Sequence, residues 1–586
     1  MTVPAFDPIS PEEAVTLDGL FRERVRRSPD APAYREFNPA LGTWETTTWR
    51  EASAAVARWQ SGLAAEGLAP GDRVAVMVPG GRAWAHFEQA ALGLGLVVVP
   101  LFARDRAGNS AFVVADAGAR LVLAGSATDW RAVAAENVDL GAVARVISLD
   151  GSADPGDPRV VPLGRWLPAA GGALAGSSES RALATLVYTS GTSGSPKGIM
   201  LSHWNIVTNA ASGLGSLPVT TDDVFLSFLP LNHMLERTVG YYVPMMAGAE
   251  VAFVREIRMI GDDFKIVRPT CIVSVPRVYE RIYERIHETL AAKPAPARWL
   301  AALSAAVGWR AFQHRHGRAG WGPDLWLRPL LDRLVASQVR AAFGGRLRIA
   351  ISGGAALPGS VARFFIGQGV PIFQGYGLTE SSPVTNVNTE TNNDPASVGP
   401  ALKGVEIRIA PDGEVLTRGP HVMMGYWNNE PATKKAIDAG GWLHTGDTGR
   451  IFEGRLYIEG RIKDIIVLDT GEKISPTDME QAIIVDPWID QVLVVGEGRP
   501  HLVAIVVPSG GASREEAVLL SRIESHCRAF PGYARVRRVI VADEPWTLDN
   551  DLMTATLKLK RQKILDLYGE RLASVYEEDA RIAAEA

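Results

Sequence analysis

The sequence predicts an α/β protein with a large layered N-terminal part and a smaller α+β part at its C-terminal end. From residue 49 to residue 123, short apolar runs of strand length alternate with segments of helical periodicity. Such alternation indicates mainly parallel sheets covered by helices. After about residue 461 shorter strands alternate with helices, and the chain ends in a charged helical pattern. This change indicates a separate C-terminal domain of ordinary size.

Local signals define the individual elements. Thr48 and Glu51 fit a capping box for a helix over residues 49–63, and Gly67 is placed to end it. The apolar pattern predicts strands at residues 74–78, 97–100, 121–123, 492–495 and 502–507. Helices are predicted at residues 83–94, 110–117 and 359–368, with a helical tail over residues 558–585.

Residues 286–346 differ from their surroundings, because they are helical in pattern, rich in Ala, Leu, Trp and Arg, and interrupted by prolines. The prolines and the aromatic and basic residues are Pro294, Pro296, Pro323, Trp299, Trp309, Trp321, Trp326, Arg298, Arg310, Arg315 and Arg318. Trp and Arg together are typical of a surface that lies against lipid headgroups. An amphipathic helical pair packed on the domain is the other interpretation, and the sequence leaves both open.

Composition excludes several classes of function. The chain has 586 residues and a net charge of -5, which argues against nucleic acid as a principal partner. Cys271 and Cys527 lie far apart without metal-ligand spacing, so neither a disulfide framework nor a zinc site is indicated. No signal peptide is visible, and the longest apolar run, residues 90–103, is shorter than the roughly 20 residues that span a bilayer. We expect a reduced, cytoplasmic protein, and any contact with the inner face of a membrane would be peripheral.

The run YTSGTSGSPKG, residues 188–198, alternates hydroxyl side chains with glycines before it reaches Lys197. Glycines let successive backbone N–H groups converge on an anion, while the hydroxyls and the lysine add donors and positive charge. Predicted strands flank the run, which distinguishes it from a flexible Gly/Ser linker. A Walker loop needs Gly before the lysine and Ser or Thr after it, whereas Pro196 and Gly198 stand here. The run therefore predicts a polyphosphate site of another kind.

A second motif, QGYGLTESSP, begins at Gln374. Its glycines leave room for a ligand plane beside Tyr376, whose ring can stack on a base. Thr379 can donate to a phosphate oxygen, and Glu380 can hold Mg²⁺. A simple structural turn does not require Tyr, Thr and Glu at these spacings.

Two further motifs lie nearer the C-terminal end. In GWLHTGDTGR, Asp447 can accept hydrogen bonds from both hydroxyls of a ribose, and Arg461 in the following GRIKD can add donors. Taken alone, an aspartate in such a turn is a weak signal, because Asp is a common turn former. The string LMTATLKLKRQK contains Lys558, and a solvated basic start of a helix is its other interpretation.

The four motifs, in this order, resemble those of the adenylate-forming superfamily over nearly the whole chain. Thr556 and Leu557 stand before Lys558 where the common pattern has Ser-Gly, and this variant resembles the long-chain-fatty-acid–CoA ligase branch. The resemblance implies an N-terminal adenylation domain of several layered subdomains, residues 1–460, and a mobile C-terminal lid, residues 465–586. A hinge at residues 461–464 would join them.

The resemblance also implies roles for single residues. Lys558, Glu380, Thr379 and His233 are the expected catalytic residues, and Glu380 and Thr189 are the expected metal ligands. His233 precedes a Met- and Tyr-rich apolar segment, predicted as a helix, and both are expected to line the acyl tunnel. Lys463 is the expected hinge pivot, and Gly471 is expected to line the thiol tunnel. The remaining residues expected to bind nucleotide or cofactor are Thr189, Ser190, Gly191, Thr192, Ser193, Gly194, Lys197, Gly353, Gly354, Gln374, Gly375, Tyr376, Gly377, Thr379, Asp447 and Arg461.

The implied function is activation of a fatty acid by ATP and Mg²⁺, followed by transfer of the acyl group to CoA. Large apolar residues over 241–246 and the Trp-rich insertion favour long acyl chains. We expect a monomer or a homodimer with fatty acid, ATP and CoA as its ligands and without nucleic acid. Three alternatives stay open: a fatty acyl-AMP ligase that loads a carrier protein, a luciferase-like oxygenase, and a non-catalytic lipid-binding protein on the same scaffold.

Overall fold

The computed structural model describes residues 6–177, 179–189, 196–528, 530–554 and 559–585. The first strands are β1 (Pro32–Asn38), β2 (Thr43–Thr48), β3 (Arg73–Met77), β4 (Val97–Pro100), β5 (Leu121–Ala124), β6 (Arg145–Ser148), β7 (Val160–Pro162), β8 (Leu183–Thr189) and β9 (Lys197–Ser202). The next are β10 (Val224–Ser227), β11 (Glu250–Phe253), β12 (Cys271–Ser274), β13 (Ile349–Ser352), β14 (Ile372–Gly377) and β15 (Val384–Val387). The last are β16 (Glu406–Ile409), β17 (Glu414–Arg418), β18 (Gly425–Tyr426), β19 (Leu443–Phe452), β20 (Arg455–Arg461), β21 (Ile466–Val467), β22 (Lys473–Ile474), β23 (Ile489–Val495), β24 (Leu502–Pro508) and β25 (Val536–Val541).

The first helices are α1 (Pro11–Ala14), α2 (Leu17–Arg27), α3 (Trp49–Ala65), α4 (Arg82–Gly93), α5 (Ala107–Asp116), α6 (Ala127–Ala134), α7 (Leu163–Trp166), α8 (His203–Ser216), α9 (Val243–Ala247) and α10 (Ile260–Val267). The later helices are α11 (Pro276–Ala291), α12 (Ala295–Arg315), α13 (Arg328–Leu331), α14 (Ser337–Ala341), α15 (Gly359–Gly367), α16 (Glu430–Ala436), α17 (Pro476–Ile483), α18 (Glu516–His526) and α19 (Arg561–Glu585). Short 3-10 turns lie at Ile257–Met259, Pro323–Leu327, Thr379–Ser381 and Gly532–Ala534, and π-helical turns lie at Glu236–Tyr242 and Asp332–Ala336.

Within the described residues, the strands form two eight-stranded sheets and three smaller ones. The first large sheet has the order β15-β14-β13-β12-β10-β11-β1-β2, and the second has the order β18-β9-β8-β4-β3-β5-β6-β7. Their inner strands pair in parallel, whereas β1–β2, β14–β15, β8–β9 and β9–β18 are antiparallel. The smaller sheets are β16-β17-β19-β20, β21-β22 and β23-β24-β25. The predicted mixed α/β fold with mainly parallel sheets is confirmed.

Helices cover the large sheets, and several of the inner strands are accordingly buried along their whole length. Every residue of β4 and of β12 is buried, as expected for parallel strands covered on both faces. The capping box before α3 is present: the Thr48 hydroxyl accepts from Glu51 N at 3.2 Å, and the Glu51 carboxylate accepts from Thr48 N at 2.8 Å. Local signals thus predicted the start of α3 correctly.

In the helical insertion, α12 packs on α15, the helix between β13 and β14 that lies against the first large sheet. Gly308 and Gly367 meet where these helices cross, and a Cβ on Gly308 would lie 1.7 Å from the Gly367 carbonyl oxygen. Only glycine permits this approach. Pro294 precedes α12 and Pro323 begins a 3-10 turn, so both prolines mark element boundaries as predicted. No helix in the described part of the chain is both long and apolar enough to cross a membrane.

Two elements differ from their predicted form. The apolar segment after His233, predicted as one helix, begins as the π-helical turn Glu236–Tyr242 and continues as α9. The C-terminal helix starts at Arg561 rather than at residue 558, because residues 559–560 first return to residues 552–553 through the bridge Met553↔Leu559 and the Lys560 N to Leu552 O hydrogen bond. Lys558 itself lies outside the described residues.

Candidate active site

Two predicted motifs meet at the carboxyl ends of parallel strands in the first large sheet. Ser352 at the end of β13 pairs with Gln374 on β14, so Gly353 and Gly354 follow one strand beside Gly375 and Tyr376 on the next. In open α/β sheets this edge is the usual place for ligands. The Gln374 amide supports the neighbouring loops, since its oxygen accepts from Leu357 N at 2.9 Å and its nitrogen donates to Pro395 O.

The backbone around Gly377 leaves no space for a side chain. A Cβ on Gly377 would lie 1.8 Å from the Pro383 carbonyl oxygen. That approach folds the chain into the 3-10 turn Thr379–Ser381, which carries Thr379 and Glu380 directly beyond β14. The glycine therefore positions the two residues expected to hold the phosphate and the metal.

Tyr376, Asp447 and Arg461 form a second group. The Tyr376 hydroxyl donates to Asp447 Oδ2 at 2.6 Å, and Arg461 Nε lies 3.0 Å from Asp447 Oδ1. Asp447 and Arg461 face each other across β19 and β20, and Asp447 is 4% exposed. Burial, followed by the Asp447 charge, raises the pKa of Tyr376. The phenol therefore stays protonated and donates a hydrogen bond to the carboxylate. The two donors orient the Asp447 carboxylate.

Glu380 and Lys197 meet at the side chain of Tyr426. The Tyr426 hydroxyl donates to Glu380 Oε1 at 3.0 Å, and Lys197 Nζ lies 5.2 Å from the centre of the Tyr426 ring. Burial, followed by the Glu380 charge, raises the pKa of Tyr426. None of the predicted motifs includes Tyr426, although its string GYW, a glycine followed by two aromatic residues, is a detectable signal.

The phosphate-loop run is described at its two ends. Thr189 ends β8 and pairs with Lys197 at the start of β9, so these two residues lie on adjacent strands. The Tyr188 hydroxyl donates to Asp116 Oδ2 at 2.5 Å and holds the end of β8 against α5. Ser190, Gly191, Thr192, Ser193 and Gly194 lie outside the described residues, and so does Lys558. Their predicted roles remain predictions.

The segment that follows His233 is anchored inside the fold. His233 Nδ1 accepts from Leu235 N at 3.2 Å. Arg237, in the next turn, forms a buried ion pair with Glu88 and donates to the Thr185 hydroxyl on β8 at 2.9 Å. The segment predicted to line the acyl tunnel is therefore tied to the strand that leads to the phosphate loop.

The remaining predicted residues lie after β20. Lys463 occupies the exposed turn that follows β20, where Asp464 N and Ile465 N both donate to Arg461 O. Gly471 lies in the turn between β21 and β22, with a φ of 92°. The pivot role of Lys463 and the thiol-tunnel role of Gly471 stay predictions, as do the domain boundaries.

The residues around Glu380 fit Mg²⁺ bound together with a nucleotide. Among the described residues, no group of three or more His, Cys, Asp or Glu side chains could form an all-protein metal cage. Mg²⁺ needs none, since it commonly takes one or two carboxylates and fills its other positions with phosphate oxygens and water. Glu380, with the Thr189 hydroxyl on the neighbouring motif, has the chemistry for this role.

Comparisons with known proteins identify the family. The AMP-binding enzyme family matches residues 21–427, and the AMP-binding enzyme C-terminal domain matches residues 463–580. The long-chain-fatty-acid–CoA ligase FadD15 of Mycobacterium bovis is 30% identical over 99% of this chain and 100% of its own length. The chloroplastic long-chain-fatty-acid–[acyl-carrier-protein] ligase AEE15 of Arabidopsis thaliana is 32% identical over 68% of this chain and 62% of its own length.

Solved structures show the same fold. The adenylation domain of a carboxylate reductase from Mycobacterium chelonae superimposes with a TM-score of 0.79 at 22% identity, covering 98% of this chain and 94% of that one. The predicted fold, with a large N-terminal and a small C-terminal part, and the resemblance to adenylate-forming enzymes are therefore confirmed. The chain belongs to the AMP-binding enzyme family.

Proposed function

We propose that this enzyme joins a fatty acid to CoA in two steps. In the first, a carboxylate oxygen of the acid attacks the α-phosphorus of ATP, the bond to the β-phosphate oxygen breaks, and pyrophosphate leaves. In the second, the CoA sulfur attacks the acyl carbon of the acyl adenylate and AMP leaves. Adenylation is needed because a carboxylate resists nucleophiles and has no good leaving group.

The observation that carries this proposal is the meeting of distant motifs through side-chain contacts. Tyr376 and Asp447 lie 71 residues apart and share a hydrogen bond, and Glu380 and Lys197 contact the same tyrosine, Tyr426. One group has the chemistry to hold a nucleoside and the other has the chemistry to hold its phosphates. A non-catalytic lipid-binding protein would need neither group.

In the first step, different residues of the chain bind the ribose, the adenine and the phosphates. Asp447 and Arg461 bind the ribose, Tyr376 lies along the adenine, and Thr379 donates to the α-phosphate. Lys197 and Lys558 neutralise charge on the phosphates as the bond to pyrophosphate breaks. A Mg²⁺ ion held by Glu380 and Thr189 would supply further charge neutralisation, and each such group is commonly worth several kcal/mol.

The second step needs little help from a base, because a few per cent of a thiol is already thiolate near pH 7. Rotation about Lys463 removes Lys558 from the acyl phosphate and brings the turn at Gly471 towards the thiol. His233 and the segment behind it line the acyl channel, with Gly353 and Gly354 at its nucleotide end.

Long-chain acids are the proposed substrates. FadD15, which aligns with nearly the whole of this chain, is named for long-chain fatty acids. A panel of acids from short to very long, incubated with ATP, Mg²⁺ and CoA, tests the proposal by the AMP formed. We expect the highest kcat/KM for long chains. Turnover of aryl or short acids alone would overturn the substrate assignment.

Carrier protein is the alternative acyl acceptor, since AEE15 is named for acyl-carrier protein. A comparison of free CoA with a phosphopantetheinylated carrier protein, at equal thiol concentration, separates the two. We expect thioester formation with CoA. Acyl transfer to the carrier alone would make the enzyme an acyl-AMP ligase of the carrier-loading kind.

We also infer that the helical insertion rests on the cytoplasmic face of an anionic membrane. Trp299, Trp321, Trp326 and Leu330 are 64%, 57%, 78% and 57% exposed, and they lie on or near α12. Residues 293–346 carry nine Lys and Arg against two Asp, in a chain whose net charge is -5. Exposed tryptophans beside arginines suit the headgroup region of anionic lipid.

Sedimentation with vesicles tests this contact. The protein, as a monomer or a homodimer, should bind phosphatidylglycerol vesicles, bind neutral phosphatidylcholine vesicles more weakly, and lose binding in high salt. The double variant Trp299→Ser, Trp326→Ser should lose vesicle binding, whereas Phe452→Ser, which removes a 53% exposed aromatic ring outside the insertion, should retain it. Equal binding by both variants would contradict the proposed surface.

A further inference from the structure

The short strand β18 fixes Tyr426 relative to the phosphate-loop lysine. Gly425 and Tyr426 pair with Met200 and Ile199 of β9, the strand that begins at Lys197. Backbone hydrogen bonds continue this pairing on both sides, from Met424 N to Met200 O at 2.9 Å and from Trp427 N to Gly198 O at 2.7 Å. The backbone of Tyr426 is therefore part of the same sheet as Lys197.

The same segment is also attached to the turn that carries Glu380. Met423 N donates to the Glu380 carbonyl oxygen at 2.9 Å, and the Tyr426 hydroxyl donates to Glu380 Oε1 at 3.0 Å. The Thr433 hydroxyl of α16 accepts from Tyr426 N at 2.8 Å. Glu380 is thus held through both its backbone and its side chain by the segment that is hydrogen-bonded to β9.

Each contact restricts the motion of a side chain, Lys197 or Glu380, that must be ordered before the site can bind phosphate and metal. Lysine has a long, flexible side chain, and the Tyr426 ring attracts its ammonium group at a separation of 5.2 Å. The carboxylate of Glu380 can rotate, and a hydrogen bond to Oε1 fixes its plane while Oε2 stays chemically suited to a metal ion. Preorganised groups of this kind bind and stabilise charge better than groups that must reorganise.

We propose that Tyr426 is a positioning residue that sets the separation of Glu380 and Lys197 for binding magnesium and nucleotide together. This inference rests on the proposed function, because the roles of Glu380 and Lys197 belong to it. Tyr426 acts through these two residues. Its hydroxyl donates a hydrogen bond that orients the Glu380 carboxylate, and its ring attracts the Lys197 ammonium group. The two parts of the side chain can therefore be tested separately.

Equilibrium binding of α,β-methylene-ATP provides a readout that does not depend on turnover. Tyr426→Phe removes the hydroxyl and keeps the ring, so the Kd with Mg²⁺ should rise about tenfold while the Kd in EDTA stays unchanged. Tyr426→Leu removes the ring as well, so the Kd in EDTA should also rise. The magnesium concentration for half-maximal pyrophosphate exchange should increase about tenfold in Tyr426→Phe.

Tyr457→Phe is the matched control. The Tyr457 hydroxyl donates to Asp394 Oδ2 at 2.9 Å, a phenol–carboxylate pair outside the site. This variant should keep both Kd values and the wild-type magnesium dependence. In a Glu380→Gln background, Tyr426→Phe should have no further effect on the magnesium dependence, because the carboxylate that the hydroxyl positions is gone.

Two outcomes would overturn the inference. One is a Tyr426→Phe variant with wild-type Kd values and wild-type magnesium dependence. The other is an equal loss of binding with Mg²⁺ and in EDTA, which would mean that the hydroxyl only supports the local fold. Failure of the proposed function is separate: wild-type protein would then form no AMP from any fatty acid, while the binding experiment would still decide the role of Tyr426.

Discussion

At the residue scale, the proposed nucleotide end of the site consists of polar groups that orient one another. Asp447 receives the Tyr376 hydroxyl and the Arg461 guanidinium on different oxygens, and Glu380 receives the Tyr426 hydroxyl. Each carboxylate is thus oriented by neighbouring donors, as a preorganised site requires. Single substitutions in this group should therefore lower the rate of the ATP half-reaction without changing the affinity for the fatty acid.

Lys197→Ala should weaken the ATP half-reaction and leave fatty-acid binding intact. In the proposed mechanism the lysine supplies charge for the leaving phosphates, so loss of one such group should lower pyrophosphate exchange by about 10²-fold. Fluorescent fatty-acid titration should give the wild-type Kd. Lys434→Ala, which removes a 75% exposed lysine paired with Glu430, is the control. A normal exchange rate in Lys197→Ala would contradict the assignment.

Glu236 gives a prediction about stability and pH. Burial raises the pKa of Glu236 from 4.5 to about 8, and a hydrogen bond with Ser227 opposes this rise only in part. Its Oε2 finds no hydrogen-bond partner among the described residues. The fold therefore favours the protonated acid, and the stability that this provides is full below pH 4.5 and is lost as the pH rises towards 8.

Glu236→Gln should remove this dependence, because the amide cannot ionise. From about pH 5 to pH 8 the variant should gain stability relative to wild type, by at most about 1.4 kcal/mol per pH unit. Thermal unfolding midpoints of both proteins at several pH values provide the measurement. Parallel curves over this range would show that Glu236 does not titrate in the fold.

At the element scale, residues 551–553 contact residues 559–563, which follow a part of the chain that the structure does not describe. Lys560 N donates to Leu552 O, Met553 bridges to Leu559, and Asp551 holds Lys560 and Lys563. Partial burial acts to raise the pKa of Asp551, but the hydrogen bonds from these two lysines outweigh it and lower the pKa. Asp551 is therefore a charged anchor for Lys560 and Lys563.

Asp551→Asn should weaken adenylation by about tenfold and leave thioester formation from supplied acyl adenylate unchanged. Asn keeps the shape and tolerates the backbone φ of 63° at this position, so the main loss is the charge that pairs with the two lysines and with Arg106. Single-turnover rates of the two half-reactions measure the effect. Asp543→Asn removes the exposed partner of Arg571 and is the control. Equal loss in both half-reactions would contradict this role.

At the scale of the whole molecule, the proposed mechanism places the C-terminal part differently in the two half-reactions. Lys558 follows residues 465–554 in sequence, whereas its proposed target, the α-phosphate, is expected at the sheets of the N-terminal part. Lys463 lies in an exposed turn, and we expect the backbone to change there between the two positions. An ion pair of 2.9 Å between Arg106 and Asp551 joins the two parts in the structure.

Lys558→Ala should separate the two half-reactions. Adenylation should fall by at least about 10²-fold, since a charge at the reacting phosphate is lost. Thioester formation from supplied acyl adenylate should continue at the wild-type rate. Rapid-quench measurement of each half-reaction provides the test, and equal loss of both would refute this role for Lys558.

The sequence by itself determined those features that depend on local chemistry. The Thr48 capping box, the apolar runs that became β3, β4 and β5, and the prolines at the ends of the insertion helices act within a few residues of chain. The motifs containing Lys197, Tyr376 and Glu380 were recognisable for the same reason, because ligand chemistry restricts the residue types and their spacing.

Only the tertiary structure decided which groups act on one another. Tyr426 contacts Glu380 and Lys197 because β18 joins β9 from more than 220 residues away, a pairing set by the packing of whole elements. The exposure of Trp326 and the burial of Glu236 likewise depend on neighbours that are distant in sequence. Residue spacing predicts chemistry within a segment, whereas contacts between segments arise from the sheets that bring them together.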